Sequence, residues 1–176
     1  MTKQSWLFAL AVAFQLVILA AIPAKQIQVR WTGTLITIKT ASVDPYDFLS
    51  GYHVILRYEI SRPSDEHWSS FPSERKDGMT VYAILQKGAD DIWTLRTLTD
   101  KRPKELPEDQ IALKGRISHN TIEYGIEHFF IPEEGRDTLE AALRRNQQTA
   151  LAQIRGDRFG HAALIRLIVD GKTYEY

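Results

Sequence analysis

"MTVYAILQKGADDIWTLRTL", Met79 to Leu98, holds two strand-like runs rich in β-branched and aromatic side chains. "KGAD" between them carries turn chemistry from Gly88 to Asp91. The stretch predicts a β-hairpin, and so an antiparallel sheet at the centre of the chain.

The same pattern continues on both sides. Towards the C-terminus, "QIALKGRIS" and "TIEYGIEHFFI" read as two more strands with His119-Asn120 at their turn. They follow a charged, proline-bearing loop, Asp100 to Asp109. The period then changes once. "DTLEAALRRNQ" (Asp137 to Gln147) places Leu139, Ala142 and Leu143 on one helical face, with capping-box spacing at Asp137 and Glu140. "TALAQIR", "HAALIRLIV" and "KTYEY" close the chain as strands, the last two joined by Asp170-Gly171, a strong hairpin signal. The Arg155-Gly156-Asp157 tripeptide is read as a turn.

Towards the N-terminus, Ser61 to Gly78 is polar, holds two prolines and shows no periodicity, so it is expected to be a long loop. Trp68 and Phe71 lie in it. They are candidates for exposed contacts with a partner, or for side chains that fold back into the core. "YHVILRYEI" alternates strictly, with Tyr52, Val54, Leu56, Tyr58 and Ile60 on one face. "GTLITIKTASV" suits a further strand. The whole predicts a mainly β (α+β) fold of about eight or nine strands. These form an antiparallel sheet or a small closed barrel with one helix in the C-terminal half.

The beginning of the chain differs. Trp6 to Ile22 has Gln15 as its only polar side chain, and as a helix it spans roughly 25 Å. Lys3 and Lys25 flank it, and Pro23 is expected to end it. We read residues 1–25 as an N-terminal transmembrane anchor and 26–176 as the β-rich domain. A cleaved signal peptide and a buried core helix are the alternatives. The positive-inside count is close to a tie, and a short N-terminal tail before one span favours export of the following domain.

Charge is balanced at 22 basic and 22 acidic side chains, which gives no argument for nucleic acid. Cysteine is absent, so disulfides, thiolate chemistry and cysteine metal sites are excluded. No two of the five histidines have zinc-protease spacing, and no P-loop, dinucleotide fingerprint or nucleophile elbow is present. No cofactor or metal is implied.

"DPYDFLSGYHVILRYEI" (Asp44 to Ile60) admits a structural account throughout. Asp44 precedes a proline and is pushed extended, Pro45 fixes a turn, Asp47 caps the following amides and Gly51 tolerates positive φ. The functional alternative makes Asp44 and Asp47 paired carboxylates. "EYGIEHFFIPEEG" adds Glu127, with Phe129 on one strand face, and His128 on the other with Tyr124, Ile126 and Phe130. A histidine there is expected to be a hydrogen-bonded core residue.

These two stretches in order resemble the signature segments of the GDYXXLXY protein family. The Gly-Asp-Tyr-x-x-Leu-x-Tyr pattern aligns to Gly51, Leu56 and Tyr58. Tyr52 stands where the family has aspartate and His53 where it has tyrosine. Asp44, Pro45, Asp47 and Leu49 match the lead-in, and Gly125, Glu127 and Phe130 fall in the second segment. The resemblance implies a bacterial, membrane-anchored domain with no established activity, associated with multi-span membrane proteins. The expectation is therefore a non-enzymatic partner or subunit of an inner-membrane assembly, its C-terminal domain facing the periplasm or exterior. A carboxylate-dependent hydrolase and a small-ligand binder using a barrel interior are the alternatives.

Overall fold

The computed structural model describes residues 3–41, 49–50, 53–130, 150–169 and 171–175. In chain order the elements are α1 (Lys3–Thr32), β1 (Thr34–Lys39), β2 (Leu49–Ser50), β3 (His53–Ile55), α2 (Asp65–Ser69), β4 (Thr80–Lys87), β5 (Trp93–Thr99), β6 (Gln110–Ser118), β7 (Thr121–Glu123), β8 (His128–Phe130), β9 (Leu151–Gly156), β10 (Ala162–Val169) and β11 (Lys172–Glu175). A 3-10 turn at Glu59–Ser61 follows β3. The fold is mainly β. Two four-stranded antiparallel sheets have the orders β5-β4-β6-β7 and β1-β9-β10-β11, and one of them is a half-barrel rather than a closed one. The short ladder β2-β3-β8 forms a third sheet.

The Met79–Leu98 hairpin is β4 and β5. Gly88 N–H donates to Ile92 O at 2.9 Å, and Asp91 takes the left-handed φ of +60° that closes the turn. Strict alternation would carry Trp93 and Leu95 inward but turn Leu98 out. The pairing slips instead: Ile84 faces Thr97 and Leu85 faces Leu95, which leaves Arg96 unopposed. This bulge resets the faces, so Trp93 and Leu98 are both buried and Leu95 packs on the core. β10 uses the same device. Leu164 faces Ile154 and Arg166 faces Gln153, so Ile165 is the extra residue, and burial passes from Ala162 and Leu164 to Leu167 and Val169. One apolar cluster fills the space between the sheets, from Ile36 and Ile38 through Val81, Leu85 and Leu113 to Ile154 and Leu167. A side chain at Gly156 would put its Cβ 2.8 Å from Ile111 Cδ1, so glycine there lets β9 approach β6.

The Arg155-Gly156-Asp157 tripeptide ends β9 and opens the turn to β10. Asp157 Oδ1 accepts from the N–H groups of Phe159 and His161 at 2.8 Å each. Residues 61–78 are not structureless. They hold the 3-10 turn's end and α2, where Ser64 and His67 form a capping box.

Helix α1 does not stop at position 23. It runs 30 residues to Thr32 because its last turns dock on the sheet. Val29 is buried, Arg30 Nη2 donates to Leu164 O at 3.3 Å, and Arg155 Nη1 donates to Trp31 O and Gly33 O at 3.1 and 3.2 Å. The Arg155 bonds satisfy carbonyls at the end of the helix and place a cation against its negative pole, while Arg30 ties the helix to β10. The packing outweighs the proline's disruption. Each described side chain from Trp6 to Leu19 is exposed. Among the described residues no helix is long and apolar enough to cross a membrane; the side chains of α1 at 3–5, 9 and 20–25 lie outside that set. The expected helix at 137–147 lies outside the described residues, as do Asp44, Pro45, Asp47 and Gly51.

Candidate functional site

The signature stretches meet because β3 pairs with β8, Val54 opposite Phe129 and Ile55 opposite His128. The ladder extends past both strands: Leu56 N–H donates to Glu127 O at 2.6 Å. Leu56, Tyr58 and Ile60 then drop into the core, as the alternation of "YHVILRYEI" predicts for those positions. Tyr58 also bridges to Thr40.

Two tyrosines lock the junction. Tyr58 Oη donates to Ile126 O at 2.6 Å, and Tyr124 Oη donates to Ile60 O at 2.9 Å. Each phenol thus satisfies a carbonyl on the other's segment. Burial, and then the negative charge of Glu127, push both hydroxyls well above the usual tyrosine range. They remain protonated donors at neutral pH. Glu127 Oε1 accepts from Tyr124 N–H at 2.5 Å, closing the turn on itself. Gly125 makes that turn with φ +77°, a conformation other residues resist.

The turn also changes the reading of the stretch. "TIEYGIEHFFI" is not one strand but β7 and β8 in different sheets. Parity is therefore not carried from Tyr124 to His128. Tyr124 and Ile126 are buried, whereas His128 is exposed rather than a core residue. Phe130 pairs by its backbone with His53.

Trp68 and Phe71 are not a pair of exposed contacts. Phe71 is buried in the core, and Trp68 packs against it edge-on at 6.0 Å with Arg75 stacked 4.9 Å from the indole. His67 ties α2 down through Leu95 O at 3.2 Å.

Beside the clasp lies a cleft of about 450 Å³. Arg57 of the first segment lines it together with Ser61 and Arg62, which follow that segment; the second segment contributes Glu123, Glu127 and His128. Ser61 and Arg62 carry no motif signal in the sequence; only the 3-10 turn at Glu59–Ser61 brings them here. Among the described residues no group of three His, Cys, Asp or Glu could hold a metal.

A family model described as GDYXXLXY protein matches residues 15–167. The chain belongs to the GDYXXLXY protein family. The match begins within α1 and ends within β10, and takes in both signature segments and the clasp they form. Comparison with curated proteins and with solved structures gives no significant match.

Proposed function

We propose that this GDYXXLXY protein is a non-enzymatic partner or subunit of a bacterial inner-membrane assembly. In this reading the apolar run of α1 is its anchor and the β-domain faces the periplasm or exterior. The observation that carries the proposal is the surface of α1. Leu16, Val17, Ile18 and Leu19 are consecutive, stand 100° apart around the axis, and are 46–66% exposed. Trp6, Leu7, Phe8 and Phe14 are exposed too. A helix that is apolar on every side is covered by lipid or by other apolar helices. The clasp supports the non-enzymatic part, since its polar groups satisfy backbone atoms rather than converge on a free reacting position.

The chain has no cysteine, so single introduced cysteines report topology without background. A Lys76→Cys variant in intact cells with a permeabilised outer membrane is expected to react with an impermeant maleimide, and the protein to stay in the membrane through alkaline carbonate. A photocrosslinking residue at Phe14 is expected to capture one multi-span protein. Release by carbonate, or labelling of Lys76→Cys only after cell lysis, would overturn the anchor and its orientation. Retention with no crosslinked partner would overturn the subunit reading.

A further inference from the structure

We propose that the basic notch between the β5–β6 loop and the β9–β10 turn binds the phosphate group of a compact soluble anion. The argument does not depend on where α1 resides.

The first observation is how two cations are placed. Arg102 comes from the β5–β6 loop and Arg158 from the β9–β10 turn, and both converge on one ring. Their Cζ atoms lie 5.3 and 4.9 Å from the centre of Phe159. A cation over a ring is held by the ring's quadrupole and not through its N–H groups. Among the described residues neither guanidinium makes a hydrogen bond or an ion pair, so the donors of both stay free in their planar forks. Lys104 follows Arg102 across Pro103, lines the same notch and is equally unpaired among the described residues. Phe159 is 38% exposed, so the ring that gathers the two arginines stands at the surface.

The second observation is that the nearby carboxylates are committed elsewhere. The loop from Asp100 to Asp109 holds four acidic residues, and none of them lines the notch. Asp100 accepts from Ser73 and Asp109 from Gln86. Asp157 does line it, but its Oδ1 accepts from the N–H groups of Phe159 and His161, and its Oδ2 meets His161 Nδ1 at 2.9 Å. Both of its oxygens are used in building the turn. Three cations and this one carboxylate leave about two positive charges around the hollow, and a phosphate ester carries about −1.5 to −2 near pH 7. Guanidinium forks grip phosphate oxygens by paired hydrogen bonds. The hollow holds about 230 Å³, which is below the usual size of a drug-sized site and suits a compact anion. Its concave form favours a free anion over a flat lipid surface.

The experiment is a calorimetric titration of the full chain in detergent micelles at about 50 mM salt, where phosphate contacts are weakly screened. The probes are inorganic phosphate and glycerol phosphate. Malonate is the control, with the same charge divided between two planar carboxylates. Both phosphates are expected to bind at least about fivefold more tightly than malonate. Arg102→Gln and Arg158→Gln are each expected to weaken phosphate binding by about ten- to a hundredfold, as loss of a charged hydrogen bond does. Phe159→Leu keeps every charge and removes the ring, and is expected to weaken binding, while Phe159→Trp retains it. Lys172→Gln, an exposed charge on β11, is expected to change nothing. All five variants are expected to melt as the native chain does, because the side chains are exposed. Four results would overturn the proposal: no phosphate binding up to about 10 mM, equal affinity for malonate, a Lys172→Gln effect as large as that of the arginine variants, or binding to phosphatidylglycerol vesicles alone. Phosphate affinity unchanged by Phe159→Leu would overturn the placing role of the ring.

Discussion

Tyr58 and Tyr124 are held by burial and by each other's backbone, and their chemistry makes that testable. The ionisation of both phenols is pushed up in the folded state, first by burial and then by Glu127. The unfolded chain releases these protons near pH 10, while the folded chain keeps them. Their contribution is therefore complete below about pH 10 and falls as pH rises above it, by up to about 1.4 kcal/mol per pH unit for each tyrosine. Urea melts at pH 7 and above pH 10 measure this. Tyr58→Phe and Tyr124→Phe are each expected to lower stability at pH 7 by about 1–3 kcal/mol, through the carbonyl left unpaired, and to flatten the alkaline slope by one proton. An unchanged slope in both variants would mean that the phenols ionise in the fold. Leu56 and Tyr58 were legible as core residues because period two puts them on one face. The crossed hydrogen bonds were not, since they join residues 68 and 64 positions apart.

At the scale of elements, the places where pattern reading failed share one cause: a local break that alternation cannot register. Gly125 splits an expected strand in two and sends its halves to different sheets. A Cβ at this glycine meets nothing within 4 Å, so the demand is conformational alone. Gly125→Ala is expected to destabilise by about 1–2 kcal/mol and Gly125→Asn by less, because asparagine visits the left-handed region more readily. Chemical denaturation measures both, and equal stability of all three forms would show that the turn does not need its positive φ. The bulges at Arg96 and Ile165 are breaks of the same kind. Each moves burial to the other parity of its strand, so that Leu98 and Leu167 reach the core. The turns were far easier to read. Asp170-Gly171 and Gly88 to Asp91 announce themselves because few residues tolerate the required backbone angles.

Across the whole molecule, the important junction is between α1 and the β-domain. The helix passes through the predicted boundary at residue 25 without interruption and is fastened by Val29, Arg30 and Arg155. Whatever covers the apolar surface of α1 is thereby coupled to the sheets. Val29→Ala is expected to loosen this joint without unfolding the domain. Hydrogen exchange should quicken at the Gly33 amide, which bonds Val29 O at 2.9 Å, and stay unchanged in β4. Uniform quickening would show that helix and sheets unfold as one unit.

The linear chain was sufficient for whatever depends on neighbours in sequence. That includes the mainly β character, the hairpins, the apolar run at the N-terminus and the family resemblance. These follow from turn chemistry and side-chain period, which are local properties of the backbone. Contacts between distant segments needed the folded molecule: the continuation of α1 to Thr32, the burial of Phe71, the exposure of His128, the clasp, and the cleft that gathers Ser61, Arg62 and Glu123. None is a property of any short stretch. Each arises because packing energy summed over two sheets outweighs local preference, and that sum exists only once the chain has closed on itself.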